Sequence, residues 1–398
     1  MAEESNTSVG RAAAATVGWG LFCAASWTWC IGMFFPLLLL RDFGWPGLVA
    51  FLVPNVLGCA GFGYVLDRRS AAGERARHEP AMVAFSAVTI AYQLFFLAAV
   101  FGAIAPEAGV GAIPPGWLAG GSAIVLGLSL SGLADRWWPW LATLAVGFSL
   151  SLWFRLDAGV IAELPASGVR PATDLVALVP MLAFGFLLCP YLDLTFHRAL
   201  DRAPSRHAFA VFGVSFLAVI LLGAAYFGDG RLLLPAVLGH LAIQACFTIA
   251  AHLREIRRAS LPRRPGPRQA AIVVPAIVGV GLGSAADTLL PFEAIYLLFL
   301  GFYGVAFPGY VWMRMDLAGN GDRRLARLRR FPGASGGIPW TYLAALAIAT
   351  PPAAAAVLGA PWWLLVVSVA VFLAAAMIGP ASAVPIGRDE VAPEETEK

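Results

Sequence analysis

The sequence predicts an all-α integral membrane protein of twelve transmembrane helices, and three observations carry that prediction. Of 398 residues, 59% are hydrophobic and only 13% are charged, against roughly 25% charged in an average soluble domain. Apolar runs of about 20 residues, long enough to cross about 30 Å of hydrocarbon, recur throughout. Twelve are drawn: 15–40, 45–66, 81–104, 115–134, 137–156, 174–196, 207–227, 231–252, 269–287, 289–312, 338–357 and 361–380. With the N-terminus inside, only Arg41, Arg155, Arg170 and Arg231 of the 27 Lys and Arg residues face outward, and the other 23 stay in the cytoplasm. Translocating positive charge is unfavourable, so this bias orients the chain. It places both ends in the cytoplasm of a bacterial-type inner membrane.

Span 1 reads GLFCAASWTWCIGMFFPLLLL, with Gly32 and Pro36 mid-span beside Ser26, Trp27, Thr28 and Trp29. It opens a first five-helix set, 15–156, in which Asn55 is an expected interhelical hydrogen-bonding group. Span 6 contains LVPMLAFGFLLCPYLDLTF, carrying Pro180, Gly185 and Pro190, then Tyr191, Asp193 and Thr195, with His197 following. It opens a second set, 174–312. Spans 11 and 12, within 338–380, have almost no polar group and read as lipid-facing packing elements. Segments 1–14 and 381–398 are expected as cytoplasmic tails, the latter charged and disordered. The longest loops are external 157–173 and internal 253–268 and 313–337, so a single membrane domain is expected.

The net charge of +3 does not point to nucleic acid, because the basic residues are dispersed as topology signals. Five cysteines (Cys23, Cys30, Cys59, Cys189 and Cys246) all lie in spans without a CxxC pair, so neither a disulfide framework nor a metal site is expected. The start, MAEESNTSVGR, is acidic and polar, unlike the basic first region of a cleaved signal peptide. No HExxH or P-loop pattern occurs. The GNGD at 319–322 sits in an arginine-rich hydrophilic loop without a partner motif in a helix. An enzyme is therefore not expected, and no cofactor is called for.

A proline inside a helix removes one hydrogen bond and clashes with the preceding turn. In hydrocarbon, the freed backbone groups survive only where they face protein or a wet cavity. Spans 1 and 6 each open a five-helix set, and interrupted helices at matching positions of two repeats point to a midplane binding site. Packing kinks are the alternative, since Gly and Pro are common in membrane helices.

The stretch GMFFPLLLLRDFGWPGLVAFLVPNVLGCAGFGYVL resembles the outer half of helix 1, the external turn and the glycine-rich helix 2 of the amino acid/polyamine/organocation transporter superfamily. CPYLDLTFHRAL is similar to the run closing helix 6 in nucleobase–cation symporters, and to the end of a core helix in sodium:solute symporters. The resemblance covers the first 66 residues and 174–200. It implies a LeuT-like 5+5 inverted repeat plus two accessory helices, moving a small organic solute by alternating access as a cation- or proton-coupled symporter. The solute would lie between Trp27, Thr28, Trp29 and Cys30 on helix 1 and Leu188, Cys189, Tyr191 and Asp193 on helix 6. Helix 3 would add Tyr92 and Gln93, and helix 8 His240, Gln244 and Thr248. The departure is on helix 8, where GHLAIQACFTIAAHL offers Thr248 and Gln244 instead of the adjacent hydroxyls of sodium-coupled members. Whether Na+ or H+ is the coupling ion stays open.

Asp193 has two readings: an inner-gate salt bridge to Arg198 or His197, or a proton site, because intramembrane carboxylates mark ion and proton routes. His240 either titrates or bonds between helices. Asp287 and Glu293 are expected as solvated caps at the outer surface. A major-facilitator arrangement is the second transporter reading. GYVLDRRSAAGER keeps Gly63, Asp67 and Arg68 of that family's cytoplasmic loop, but Gly73 is displaced and the link between spans 6 and 7 is short. A non-transporting sensor or assembly subunit is the third. The partners expected are a small solute and the bilayer; oligomeric state is not legible.

Overall fold

The computed structural model describes residues 2–104, 109–156, 159–225, 234–260, 265–315 and 340–378. The GNGD motif, Asp157, Arg231 and the 381–398 tail lie outside them. All regular structure among the described residues is helical. Eight helices are long and apolar enough to cross a membrane, and up to ten if each of two bent pairs forms one span. Large apolar side chains such as Leu57, Leu144, Val176, Val214 and Ile277 are well exposed on these helices, as the surface of a multi-pass protein in lipid requires.

Helix α1 (Ala2–Trp27) and helix α2 (Cys30–Phe43) form the first bent pair, at 61°. Helix α3 (Trp45–Val65) includes a π-helical stretch from Val53 to Gly58 around Pro54, and α4 (Arg68–Ile104) follows. Helix α5 (Pro115–Ser131) and α6 (Asp135–Arg155) form the second pair, at 118°. Helix α7 (Ala172–Leu188) ends in a 3-10 turn, Cys189–Leu192, before α8 (Leu194–Arg202). Helices α9 (Ala208–Ala225), α10 (Leu234–Arg258) and α11 (Pro265–Ser284) come next. Helix α12 (Phe292–Arg314) has a π turn at Phe302–Ala306, and α13 (Trp340–Val357) and α14 (Trp363–Ile378) complete the chain.

Three boundaries differ from the sequence expectation. The 1–14 segment is helical from Ala2 onward, as part of α1. Helix α4 begins thirteen residues before the expected span 81–104. Its 37 residues extend about 55 Å at 1.5 Å per residue, so the basic stretch Arg68–Arg77 is helix and not loop. Asp67 caps it, accepting from the backbone N–H groups of Ser70 (2.9 Å) and Arg69 (2.8 Å). Those bonds hold its carboxyl below the usual carboxylate range. The internal loop expected at 253–268 is likewise shortened, because α10 continues to Arg258 and α11 starts at Pro265.

The packing places α4 and α10 side by side, with α11 against α4 and α5 against α10. The α1/α2 pair packs on α9, and α1 also packs on α6. Helix α7 packs on α3 and α12, while α14 lies against α7 and α13. The two broken elements therefore sit inside the bundle, each flanked by helices of the other half of the chain.

Candidate functional site

The break in the first span falls at Thr28–Trp29, before the expected Gly32 and Pro36, and Pro36 is carried inside α2. The local cause is a run of residues that disfavour helix. Thr28 turns its Oγ1 back to donate to Ala24 O at 2.7 Å, a bond that bends helices. Trp29 is extended (φ −79°, ψ 175°). The first amide of α2, Cys30 N, donates to Gln93 Oε1 on α4 at 3.1 Å. A helix end freed in an apolar interior is thereby satisfied by a neighbouring side chain.

The second break follows Pro190, whose missing N–H leaves Phe186 O without its helical donor. Cys59 Sγ on α3 takes that place at 3.3 Å. The chain tightens into the 3-10 turn, then Asp193 (φ −81°, ψ 108°) restarts it as the N-cap of α8, its Oδ1 accepting from Thr195 N at 2.7 Å. Here an aspartate stabilises a helix start through both hydrogen bond and dipole.

The two breaks meet. Ser26 Oγ and Thr195 Oγ1 lie 2.9 Å apart, both fully buried. Trp27 Nε1 donates to Asn55 Oδ1 on α3 at 2.9 Å, and Trp29 Nε1 donates to Ser26 O. The rings of Trp27 and Trp29 are 4.4 Å apart, and Trp29 packs on Tyr303 at 4.8 Å and Phe85 at 5.4 Å. Replacing Asn55 with Ala strands the indole N–H of Trp27, an expected loss of about 1–3 kcal/mol. Thermal unfolding in detergent checks it, and a melting temperature unchanged from wild type sinks it.

Around this crossing stand most of the sequence candidates. Trp27, Thr28, Trp29, Cys30, Tyr92, Gln93, Cys189, Tyr191 and Asp193 are all buried. Tyr92 OH donates to Tyr296 O (2.8 Å), Tyr296 OH to Cys30 O (3.0 Å), and Cys189 Sγ to Tyr303 O (3.2 Å). Tyr191 packs on Phe62 and accepts, through its carbonyl, from His197 Nε2 at 3.0 Å. An apolar groove between α7, α12 and α13, lined by Leu178, Met181, Leu297 and Leu346, contains none of these groups.

The helix 8 candidates do not converge. His240, Gln244, Thr248 and His252 recur every four residues on α10, and each step turns the stripe by about 40°. His240 Nδ1 and Gln244 Nε2 accordingly meet Ser149 on α6, each at 2.8 Å, whereas Thr248 Oγ1 donates to Ala25 O on α1 at 3.2 Å. His252, three steps on, reaches the breaks: its Nδ1 lies 3.0 Å from Ser86 Oγ on α4, and its Nε2 lies 4.0 Å from Asp193 Oδ2. Sequence reasoning passed over His252, Ser86 and Tyr303. The four-residue polar stripe ending at His252 was the available signal.

Asp193 does not pair with Arg198. Arg198 instead donates to Glu255 on α10 (Nη2–Oε2 2.8 Å, Nε–Oε1 3.1 Å), because α8 turns that residue toward the C-terminal end of α10. Asp135, the first residue of α6, gathers Arg202 and Arg258, each at 2.7 Å, together with the buried Arg254. Arg41 forks onto Glu293 with two 2.7 Å bonds and also binds Asp42, which Arg170 reaches at 3.1 Å. Glu293 is thus an ion-pair partner of α2 where a solvated cap was expected, while Asp287 does cap, accepting from Phe292 N at 2.8 Å. Outside this latch a cleft of about 510 Å³ opens beside Arg170, Asp174 and Trp362.

Three buried side-chain atoms at the crossing have no hydrogen-bond partner among the described residues: Gln93 Nε2, Asp193 Oδ2 and His252 Nε2. Each such group costs about 1–3 kcal/mol, and native structures keep few of them. Their place at the meeting of two broken helices marks this as the chain's candidate site. No family model and no curated protein matches this chain.

Proposed function

We propose that this chain is a secondary active transporter that carries a small organic solute between the α1/α2 and α7/α8 breaks by alternating access. The reading rests on one observation: two interrupted spans, each opening a five-helix set, touch through Ser26 and Thr195 at a buried crossing that retains unpaired polar atoms. Discontinuous helices in this position expose backbone and helix ends to a ligand without exposing them to lipid.

A LeuT-like 5+5 arrangement is supported by the packing. Exchange α1/α2 with α7/α8, α3 with α9, α4 with α10, α5 with α11 and α6 with α12. Contact of α1 with α9 then becomes α7 with α3; α1 with α6 becomes α7 with α12; α4 with α11 becomes α10 with α5. All of these contacts occur. Two six-helix bundles would each pack within themselves, so this interleaving disfavours the major-facilitator arrangement. Twelve crossings follow when the α1/α2 pair counts as one, α5 and α6 as one each, and α14 is added to the eight long helices.

Ion pairs close both ends: Arg41–Glu293 outside, Arg198–Glu255 and the Asp135 cluster inside. Alternating access would break one set at a time. The aromatic walls formed by Trp27, Trp29, Phe85 and Tyr303 suit a planar or apolar-bodied solute, a nucleobase or a neutral amino acid. The test is uptake of radiolabelled nucleobases and neutral amino acids into proteoliposomes under imposed proton or sodium gradients. Gradient-dependent accumulation of one of them is expected. If neither gradient nor counterflow moves any, a sensor or assembly role replaces this reading.

A further inference from the structure

We infer that Asp193 and His252 form a proton site shared between α8 and α10, and that the proton held there is the coupling ion of the transport reading, on which this second clause rests. Both side chains are completely buried, and the atoms that face each other, Oδ2 and Nε2, are the ones left without partners. Their other polar atoms are engaged: Oδ1 by Thr195 N, Nδ1 by Ser86 Oγ. What remains between them is one acceptor oxygen and one ring nitrogen, 4.0 Å apart.

That gap fits a proton better than a metal cation. Sodium and other hard ions need several oxygen ligands, and imidazole nitrogen suits softer metals. A proton needs only these two atoms, and a closure of about 1 Å brings them to hydrogen-bond distance. One added proton can sit on Oδ2, with neutral His252 presenting the Nε2 lone pair and Nδ1–H donating to Ser86. It can equally sit on Nε2 as an imidazolium facing carboxylate. Both forms carry the same proton count and leave the buried pair neutral overall. Removing the proton leaves a buried carboxylate opposite a neutral ring, which is costly unless the site opens to water. Proton release is therefore tied to movement of α8.

The surroundings reinforce that tie. Arg198 and Glu255 form a second rung between the same two helices, five residues after Asp193 and three after His252. The titratable groups facing the pair from other elements, among the described residues, are thiols and a phenol: Cys23 on α1, Cys59 on α3, Cys189 in the turn after α7 and Tyr303 on α12. Helix α4 meets His252 with Ser86; farther toward the cytoplasm its Arg75 pairs with Asp201 at 2.5 Å, and its Glu74 interacts electrostatically with His197 of α8. On α10 itself, Arg254 is held by Asp135 and Glu255. Among the described residues, the charged rung beside the proton rung is thus internally paired.

Infrared pH-difference spectra of the full chain in lipid test the site without any solute. A protonated-carboxyl C=O band that titrates is expected. It should vanish in Asp193→Asn and shift in its titration midpoint in His252→Gln. A band untouched by both variants overturns the proton site, and so does an unshifted midpoint in His252→Gln. In proteoliposomes, proton-driven uptake falls to the empty-vesicle level in Asp193→Asn and is weakened in His252→Gln; sodium-driven uptake that survives both variants overturns the coupling role. If the band behaves as expected but no solute moves in wild type, the proton site stands and the transporter reading fails.

Discussion

Oxidising a chain that carries Ser26→Cys and Thr195→Cys, with the five native cysteines replaced, is expected to stop the proposed solute movement in proteoliposomes, and a reducing agent is expected to restore it. The hydroxyl oxygens of these residues are 2.9 Å apart, so sulfurs in their places face each other across the two breaks, as a disulfide requires. Ser26 ends α1 at its break and Thr195 begins α8 beyond the other, so the bond would tie together the two inner half-helices. In the proposed mechanism these halves part for release toward the cytoplasm. A covalent tie forbids that state, whereas the lost hydroxyl contact in either single variant leaves it accessible. Each single variant is therefore expected to transport under oxidising conditions. Mass spectrometry establishes how completely the bridge has formed. Undiminished uptake by a fully bridged protein shows that the breaks need not separate, and the alternating-access reading falls with it.

What the sequence revealed, and what it hid, divides along the physics of each signal. Membrane crossing is written in runs of about twenty residues, so α3, α9 and α12 are legible within a few positions. The interruption of spans 1 and 6 was legible from Gly and Pro, but its location was not. In span 1 the break depends on Gln93 of α4 capturing Cys30 N, and on the side chain of Thr28 folding onto Ala24 O. Pro36, the obvious breaker, is accommodated inside α2. In span 6 the break is finished by Cys59, a residue 127 positions away that accounts for the carbonyl Pro190 leaves open. Pairing of charges was similarly hidden. Asp193 and Arg198 are close in sequence, yet the turn at Asp193 points the carboxylate toward His252 and the guanidinium toward Glu255. A stripe of four polar residues on α10 was visible as a pattern. Only its rotation across three neighbouring helices decides which member reaches the site.

Replacing Glu255 with Ala is expected to be among the most destabilising single changes in this chain. Glu255 is 4% exposed and accepts from Arg198 twice and from Arg254 Nη1 at 3.1 Å. Its removal leaves Arg198 without its carboxylate in a partly buried position, and deprives the buried Arg254 of one of two acidic partners. Breaking a buried pair in this way costs about 3–5 kcal/mol, a large part of the roughly 5–15 kcal/mol that holds a folded domain. Arg254 is cushioned by Asp135 and by the face of Trp138, 5.0 Å from its guanidinium carbon, so the main burden falls on Arg198. A double variant, Glu255→Met with Arg198→Met, removes both charges and keeps the volume, and should recover most of the loss. Its transport should nevertheless be altered, because the rung that docks α8 on α10 beside Asp193 and His252 is gone. Thermal unfolding of the three proteins in one detergent decides the matter. If Glu255→Ala unfolds within about 1 kcal/mol of wild type, the rung carries no weight at 298 K. In that case α8 is held to α10 by apolar packing alone, and the closed cytoplasmic side needs another latch.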